Sequence, residues 1–407
     1  MRSSRRSIRL GALAVSTLAS LALVVSACAS QPASQPTTPP TQAAKPAATQ
    51  PAPTAAPKAT EPSKPAGEAT KPAAQPTAGA KPSGAVKPGQ LDPKNLPSGW
   101  TLPKAIGHVT NYLVHEWYQN ETKWEANRAR EYGIEFSIND ANLDLQKSLA
   151  AVDDYLAKNV DALVFTPVNE QASGPTIKRA AERVPVVCEG SPTDGCYTLV
   201  SIDDYSAGVK VGKWAGEYVK QHLGGKAKVL DIGLPALSTT VARSKGFIDG
   251  LKSVVQDVQV VSVDGKGLKD EAVKVAADAL TANPDVNVIF GINDDSALGG
   301  LQSFRAANLD ESKLLVVGFG CEGKACKSAL MEGGPYKVSA AMFPEYQGRM
   351  LIDAAVMAFN KQQLPQHTIA PTLAMTKELL TQYYTQQGEE WIPNFDAIAR
   401  ISTEGER

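Results

Sequence analysis

The sequence predicts an α/β protein in which a parallel sheet carries helices on both faces, with enough length for two lobes. Three observations support this prediction. Beyond Gly99, short β-branched runs alternate with amphipathic segments, which is typical of parallel sheets. About 300 residues lie there, which is long for a single core. The segments that follow the predicted strands are rich in amide, hydroxyl, carboxylate and aromatic groups.

Residues 1–28 have the features of an export signal. Four arginines precede an apolar run from 10 to 25, which is too short and too rich in alanine for a membrane span. The end of that run, Val25-Ser26-Ala27-Cys28, resembles the lipobox of bacterial lipoproteins, which implies cleavage before Cys28 and lipidation of its thiol. An ordinary secretory signal with an incidental cysteine is the alternative. We expect an extracytoplasmic protein, anchored by lipid to the outer face of the bacterial cell membrane.

Residues 29–99 are predicted to form a disordered tether. They hold 16 of the 28 prolines and no aromatic residue, so they cannot bury enough apolar surface to offset the entropy of ordering. Repeated Lys-Pro and Gln-Pro steps favour extended polyproline conformations. We expect a spacer that holds the folded part away from the membrane surface.

Charge divides unevenly along the chain. The signal carries four arginines and the tether four net positive charges, which leaves −9 on residues 100–407 out of a formal net charge of −1. An acidic folded part is poorly suited to nucleic acid, and we expect no nucleic-acid partner.

Eight strands and several helices are predicted in the folded part. Leu149, Val152 and Leu156 fall on one face of a helix, as do Val273, Ala276 and Leu280. The predicted strands are 105–109, 134–138, 162–165, 185–188, 228–232, 259–263, 286–291 and 314–319.

Ligands of open α/β sheets bind beyond the carboxyl ends of the strands. The segments at those ends are NYLVHEWY, TPVNEQ, EGSPTDG, GLPALSTTVARSKG, INDDSALGG and GCEGKAC. Their mixture of groups suits a small polar ligand. No nucleophile elbow, phosphate loop or dinucleotide fingerprint occurs, so the sequence predicts neither an enzyme nor a cofactor.

Four of the five cysteines form two close pairs. Cys188 and Cys196 bracket CEGSPTDGC, and Cys321 and Cys326 bracket CEGKAC. In an exported protein, such pairs indicate disulfides. Metal ligation is the rival interpretation, although the four histidines are scattered, and free thiols are the third.

The order of four motifs resembles the ribose-type periplasmic sugar-binding proteins. The motifs are GVKVGKWAGEYV, VARSKGFIDGL, NPDVNVIFGINDDSALGGLQSF and LLVVGFG, and the similarity runs from about 105 to about 377. It implies a type I periplasmic binding protein fold, in which two Rossmann-like lobes with parallel sheets are joined by a three-strand hinge. The implied crossings lie near 202–204, Met342 and Leu373. The implied N-terminal lobe is 100–203 plus 342–370, the C-terminal lobe is 204–341 plus 371–400, and 401–407 is a tail.

The resemblance also implies a set of ligand-binding residues. Trp117 and Tyr118 match a pair of aromatics that stack on a ring, although either ring could instead plug the core. Asp294 is expected to cap the following helix. The residues matched to polar contacts in the first lobe are Asn111, His115 and Thr166. In the second lobe, Arg243 and Asn293 match polar contacts, and Phe319 matches a second aromatic wall.

Three positions depart from the pattern of this family. Gly190-Ser191 stands where an Asp-Arg pair is typical, with Glu189 one position early; Gly320 replaces an aspartate, and Met342 a glutamine. Loss of two carboxylates removes strong hydrogen-bond acceptors, so binding of a pentose or hexose in the usual way is in doubt. Glu189 and Ser191 are retained as candidate contacts, and Glu322 and Glu345 are further substitutes.

The function implied is that of a monomeric, lipid-anchored receptor that captures a monosaccharide or related polyol by closing its cleft. It would present the closed form to the permease of an ABC transporter that has a cytoplasmic ATPase. A sensory receptor of the same fold, for a nucleoside, a signalling molecule or a flat ring-bearing acid, is the alternative.

Overall fold

The structure is a computed structural model, and it describes residues 86–406. The export signal, Cys28 and most of the predicted tether lie outside these residues. The strands are β1 Ala105–Thr110, β2 Glu135–Asp140, β3 Ala162–Phe165, β4 Val186–Glu189, β5 Thr198–Ser201, β6 Lys226–Gly233, β7 Asp257–Asp264, β8 Val288–Gly291, β9 Leu315–Gly320, β10 Tyr336–Ala341, β11 His367–Ile369, β12 Leu373–Thr376, β13 Tyr384–Gln387 and β14 Glu390–Pro393.

Helices connect most of these strands. They are α1 Glu116–Tyr132, α2 Leu145–Ala157, α3 Glu170–Ala181, α4 Asp204–His222, α5 Ser238–Lys252, α6 Lys269–Ala282, α7 Asp294–Ala306, α8 Lys324–Glu332, α9 Pro344–Phe359, α10 Lys377–Tyr383 and α11 Phe395–Ile398. None of the helices in residues 86–406 combines the length and apolar character that a membrane crossing requires.

Two six-stranded sheets form two lobes. The first sheet has the order β11-β5-β4-β3-β1-β2, with every pair parallel. The second has the order β12-β10-β9-β8-β6-β7 and is parallel except for its edge pair β10-β12. This α/β architecture confirms the fold class predicted from the sequence. The chain passes between the sheets after β5, after β10 and after β11.

Side-chain caps begin several helices directly after strand ends. Asp144, Asn169 and Asp203 each accept a hydrogen bond from a backbone N–H in the first turn of α2, α3 and α4 respectively. Such caps satisfy amide groups that a helix start leaves unpaired, so each strand turns directly into a helix. The polar loops therefore end near the carboxyl edge of each sheet.

Helices α4 and α5 pack unusually closely in the second lobe. A Cβ atom added to Gly208 would lie 2.5 Å from the carbonyl oxygen of Arg243 and 2.8 Å from the backbone nitrogen of Phe247. The two backbones approach this far because α4 carries glycine at the contact. This packing fixes the helix that holds Arg243.

The end of the predicted tether is folded, in contrast to the expectation for residues 29–99. Pro88, Gly89 and Leu91 are buried against the first lobe. The backbone nitrogens of Gly89 and Leu91 donate to Asp353 Oδ2 at 2.8 and 3.2 Å. Gly89 has φ +88, and a side chain there would collide with the Tyr346 ring, so glycine is required.

A buried ion pair holds this segment in place. Arg128 Nε donates to Asp353 Oδ1 at 2.7 Å, and both side chains are fully buried. Arg128 also donates to the Leu91 carbonyl at 2.5 Å, and the Tyr132 hydroxyl donates to Asp353 at 2.7 Å. A buried charge pair needs this full set of partners to offset its desolvation.

The segment after α10 also departs from its assignment, because 371–400 was predicted to belong to the second lobe. The Phe395 ring packs edge-on against Trp124 at 5.0 Å between centroids and lies 6.3 Å from the Tyr346 ring. Both partners belong to helices of the first lobe, α1 and α9. Apolar contact of Phe395 with these rings places α11 on that lobe.

Candidate functional site

The carboxyl ends of both sheets face a cleft between the lobes. Across it, the Asn120 side-chain amide donates to the Glu322 carbonyl at 2.6 Å, and the Lys324 backbone nitrogen donates to Glu116 Oε1 at 3.0 Å. These bonds join α1 of the first lobe to the turn between β9 and α8 of the second. The two lobes are therefore in contact over the cleft.

The turn between β1 and α1 contributes His115, and the first turn of α1 contributes Trp117 and Tyr118. His115 is the N-cap of α1 and accepts from the Trp117 backbone nitrogen at 3.2 Å. Trp117 is only 7 % exposed and packs in the core, whereas Tyr118 is half-buried, with its ring edge-on to His115 at 6.3 Å. Of the two rings, Tyr118 is therefore the one with surface to offer a ligand.

Charges from the second lobe reach His115. Burial lowers the pKa of His115, the negative charges of Asp295 and Glu116 oppose this, and the charge of Arg243 adds to it. A lowered pKa favours the neutral ring, which can both donate and accept a hydrogen bond.

Glu189 ends β4 and is 2 % exposed. Its Oε1 accepts from the Gln347 amide at 3.0 Å. Burial raises the pKa of Glu189 to about 7, against the charge of His108 and hydrogen bonds from the Thr166 and Trp117 side chains. Glu189 therefore changes charge near neutral pH.

A buried polar network beneath Glu189 contains residues that the sequence prediction missed. His108 lies between Glu125, at 2.7 Å, and the Thr166 hydroxyl, at 3.0 Å. Gln347 also donates to Glu121 at 3.0 Å. The four residues missed were His108, Glu121, Glu125 and Gln347. Two acids four residues apart on α1 were the available signal, but that spacing is also common on solvated helix faces.

Two further predicted residues of the first lobe lie at its cleft edge. Asn111 follows β1, and its buried Oδ1 has no partner within the described protein. Ser191 is half-buried and follows Gly190, whose φ of +73 lies in the left-handed region. The Cys188–Cys196 disulfide that closes this loop is present, with its Cα atoms 5.7 Å apart, as predicted.

Arg243 is held on α5 by three contacts. Its Nε donates to Asp204 Oδ1 at 2.7 Å, and a terminal nitrogen donates to the Ile292 carbonyl at 3.2 Å. The guanidinium lies 4.6 Å above the Phe319 ring. Phe319 itself is fully buried and supports Arg243 from below, so the cleft wall expected from the sequence stays a prediction.

Asn293 rather than Asp294 caps α7, which corrects the expectation for Asp294. The Asn293 side chain accepts from the Ser296 nitrogen at 2.9 Å and donates to the Gly267 carbonyl at 2.9 Å. Both of its polar groups thus have partners in the protein. Asp294 is buried and accepts from the Tyr336 hydroxyl and, at 2.8 Å, from the Ser339 hydroxyl.

Glu322 is a second buried acid beside Asp294. Burial raises the pKa of both carboxyl groups, that of Asp294 especially far, because the charge of Glu322 adds to the effect. One proton shared between the two groups relieves the repulsion. The two carboxyl groups are hydrogen-bonded to each other through that proton, and no other residue of the described protein donates to Asp294 Oδ2 or Glu322 Oε2. Residues 86–406 contain no group of His, Cys, Asp and Glu that could hold a metal ion.

Residues 106–363 match the family model described as a periplasmic binding protein domain. The chain belongs to this family. The Ribose import binding protein RbsB of Bacillus subtilis is 27% identical over 294 residues, which cover 69% of this chain and 93% of that protein. The family match confirms the resemblance predicted from the sequence and the solute-binding role.

Solved structures of family members have the same fold. An ABC transporter periplasmic solute binding protein from Actinobacillus succinogenes, with bound D-allose, has a TM-score of 0.63 and 23% identity over 69% of this chain and 99% of that one. A solute binding protein from Mycobacterium smegmatis, with bound glycerol, has a TM-score of 0.62 and 25% identity over 70% of this chain and 97% of that one.

Proposed function

We propose that this protein captures a small polyhydroxylated ligand, a monosaccharide or related polyol, between its two lobes. One observation carries the proposal: buried oxygens on both sides of the cleft lack hydrogen-bond donors. These are Asn111 Oδ1 in the first lobe and, in the second, Asp294 Oδ2 and Glu322 Oε2, which have a single shared proton between them and no donor from any other described residue. An unpaired buried acceptor is costly, and hydroxyl groups of a ligand are donors that would satisfy it.

The charge of the cleft supports a neutral ligand. With one proton shared between them, the buried Asp294 and Glu322 carboxyl groups keep one negative charge, and Glu189 adds to it as it ionises near pH 7. Arg243 already forms an ion pair with Asp204. An anionic ligand, such as a ring-bearing acid, would meet net repulsion, whereas a polyol would donate to the carboxylates and accept from Arg243.

The relatives support the same ligand class. Proteins similar to this chain bear the names ribose import binding protein and xylitol-binding protein, and solved structures of the same fold hold D-allose and glycerol. Each of these compounds offers several hydroxyl groups on a small carbon skeleton.

Capture would proceed by hinge closure. The chain crosses between the sheets three times, and the bonds from Asn120 and Glu116 to the β9–α8 turn would form as the lobes meet. Closure would bring His115 and Tyr118 of the first lobe opposite Arg243 of the second. The proposed receptor is anchored by lipid on Cys28 and delivers the closed form to an ABC permease with its cytoplasmic ATPase.

A thermal-shift panel followed by calorimetry tests the ligand class. We expect the melting midpoint of the purified protein to rise with D-ribose, D-allose, xylitol or a related polyol, by about 2.7 kcal/mol of stabilisation at a hundredfold excess over Kd. Nucleosides, amino acids and aromatic acids should leave it unchanged. A shift confined to one of those three classes would contradict the proposal.

Arg243→Ala provides the test of the site. It should weaken binding at least tenfold, because it removes a charged donor that is only partly exposed. Lys245→Ala is the matched control, since Lys245 is an exposed cation on the same helix and its side chain pairs with Asp249 outside the cleft. Equal affinity of the two variants would mean that the ligand binds elsewhere.

A further inference from the structure

The end of β9 presents a glycine, and the Glu322 side chain fills the space beside it. Gly320 has φ +116, and a Cβ atom added there would overlap the Glu322 carboxyl group, whose Cδ would lie 2.7 Å away. The Glu322 side chain thus folds back into the space that a side chain at 320 would fill. Only glycine, which has no Cβ atom, adopts this backbone conformation easily and avoids a collision with the Glu322 carboxyl group.

The turn that brings Glu322 back is held by a disulfide. Cys321 follows Gly320 with φ +46, an unfavourable conformation for a residue with a side chain. Its sulfur is bonded to Cys326 in the first turn of α8, with the Cα atoms 5.1 Å apart. Both cysteines are 1 % exposed. The bond ties the left-handed turn to a rigid helix on the other side of Glu322.

The position of Glu322 suits an acceptor for a ligand. Apart from the proton shared with Asp294, its Oε2 receives no hydrogen bond from the described residues, and the residue is only 7 % exposed. Asp294 at the start of α7 shares a hydrogen bond with it, and the charges of Arg243 on α5 and of Glu116 at the start of α1 in the opposite lobe act on it. Asp294 is itself fixed by the Ser339 hydroxyl at 2.8 Å. The carboxyl group is thus oriented, buried and next to the guanidinium.

Resting on the proposed function, we propose that Glu322 is the second lobe's principal hydroxyl acceptor, and that the Cys321–Cys326 disulfide positions it, so that ligand capture depends on that bond. Residue 320 is a glycine and has no carboxylate, and Glu322 supplies one in its place. The same turn carries the contacts to Asn120 and Glu116 across the cleft, so Glu322 reaches the ligand only where the lobes meet.

Calorimetry with D-ribose, D-allose and xylitol, on the purified protein and its variants, tests the role of Glu322. Glu322→Ala should weaken binding of the sugar that the wild type prefers by tenfold or more, and Glu322→Gln, which keeps one acceptor oxygen, by less. Glu332→Ala is the matched control, because Glu332 is an exposed acid on α8, the helix that follows the same turn. It should bind like the wild type.

The disulfide is tested by a double-mutant cycle. The Cys321→Ser/Cys326→Ser variant should lose tenfold or more in affinity while keeping a cooperative melting transition. When it is combined with Glu322→Ala, the total loss should be well below the product of the separate losses, because both changes remove the same contact. If the affinity losses of the cysteine variant and of Glu322→Ala multiply in the combined variant, the disulfide does not act through Glu322.

The outcomes separate this inference from the proposed function. If the wild type binds a sugar of the panel and Glu322→Ala binds it equally well, this inference fails and the proposed function stands. If the wild type binds no sugar or polyol of the panel, both fail. Reduction of the wild type with dithiothreitol should reproduce the loss seen in the double cysteine variant, and reduction of that variant, in which only the Cys188–Cys196 bond remains, should leave its affinity unchanged.

Discussion

The buried Glu189 carboxyl group predicts a specific dependence of stability on pH. Burial raises the pKa of Glu189 to about 7 from its usual 4.5. Between these two values the unfolded chain loses the proton while the folded protein keeps it. The folded state therefore binds more protons, and the free energy of unfolding falls as pH rises through this window.

The magnitude follows from the difference between the two pKa values. At 1.36 kcal/mol for each pKa unit, ionisation of Glu189 costs the folded protein about 3 kcal/mol above pH 7 and nothing below pH 4.5. Glu189→Gln removes this cost and keeps an oxygen for the Gln347 amide, which donates at 3.0 Å. The substitution also lowers the pKa of Glu121, which burial and the Glu189 charge raise, and this changes stability in the same direction.

Urea denaturation of the wild type and Glu189→Gln from pH 4 to 9 is the assay. We expect the stability of the variant relative to wild type to increase by about 3 kcal/mol between pH 4.5 and 7, and then to stay constant. Glu135→Gln is the matched control, because Glu135 is an exposed acid in β2 of the same sheet. Parallel curves for Glu189→Gln and the wild type would refute the argument that Glu189 is protonated when buried.

Three further substitutions test the packing by chemical denaturation. Asp353→Ala should cost about 3–5 kcal/mol, because it leaves the buried Arg128 charge unpaired. Gly208→Ala should cost about 1–3 kcal/mol and weaken sugar binding, since its Cβ would lie 2.5 Å from the Arg243 carbonyl oxygen and displace α5. Phe395→Ala should cost about 2 kcal/mol through lost ring packing on the first lobe.

A different result would contradict each of these three stability predictions. Glu131→Ala removes a 40 % exposed carboxylate that also pairs with Arg128, and it should cost at most about 1 kcal/mol. If Asp353→Ala cost no more than this, the buried Arg128–Asp353 ion pair would not be important for stability. If Gly208→Ala left sugar affinity unchanged, the close packing of α4 on α5 would not be what positions Arg243. A Phe395→Ala variant as stable as the wild type would mean that α11 packs too weakly to matter.

Periodicity located the central strands because their sequences are short, β-branched and buried on both faces. The strand Ala162–Phe165 is an example, since its four residues are all buried between helices. It did not locate Tyr336–Ala341, where serine and alanines give no β-branched run. That strand is fixed by pairing with β9 and β12, partners that are distant in the sequence. A local sequence pattern carries no information about pairing with strands that are distant in the sequence, so it could not predict this strand.

The sequence identified the loops of the cleft but not the partners of each side chain. An asparagine after a strand has the groups for both a helix cap and a ligand contact, and Asn293 uses its groups on Ser296 and Gly267. An aromatic residue can line a cleft or fill a core, and Phe319 is covered by Arg243. Deciding between such roles requires the neighbours from other strands, which folding alone brings together.

The second-lobe carboxylate shows most clearly why matching by position fails. Aligned residue by residue, Gly320 loses an acceptor, yet the Glu322 carboxyl group lies in the same space. Two successive residues with positive φ reverse the chain there, and a disulfide to Cys326 holds the reversal. The signal available in the sequence was the group of Gly, Cys and Glu closed by a short cysteine pair. In such a turn, the place of a functional group is set by backbone handedness and a cross-link, so the residue number that supplies it can shift by two.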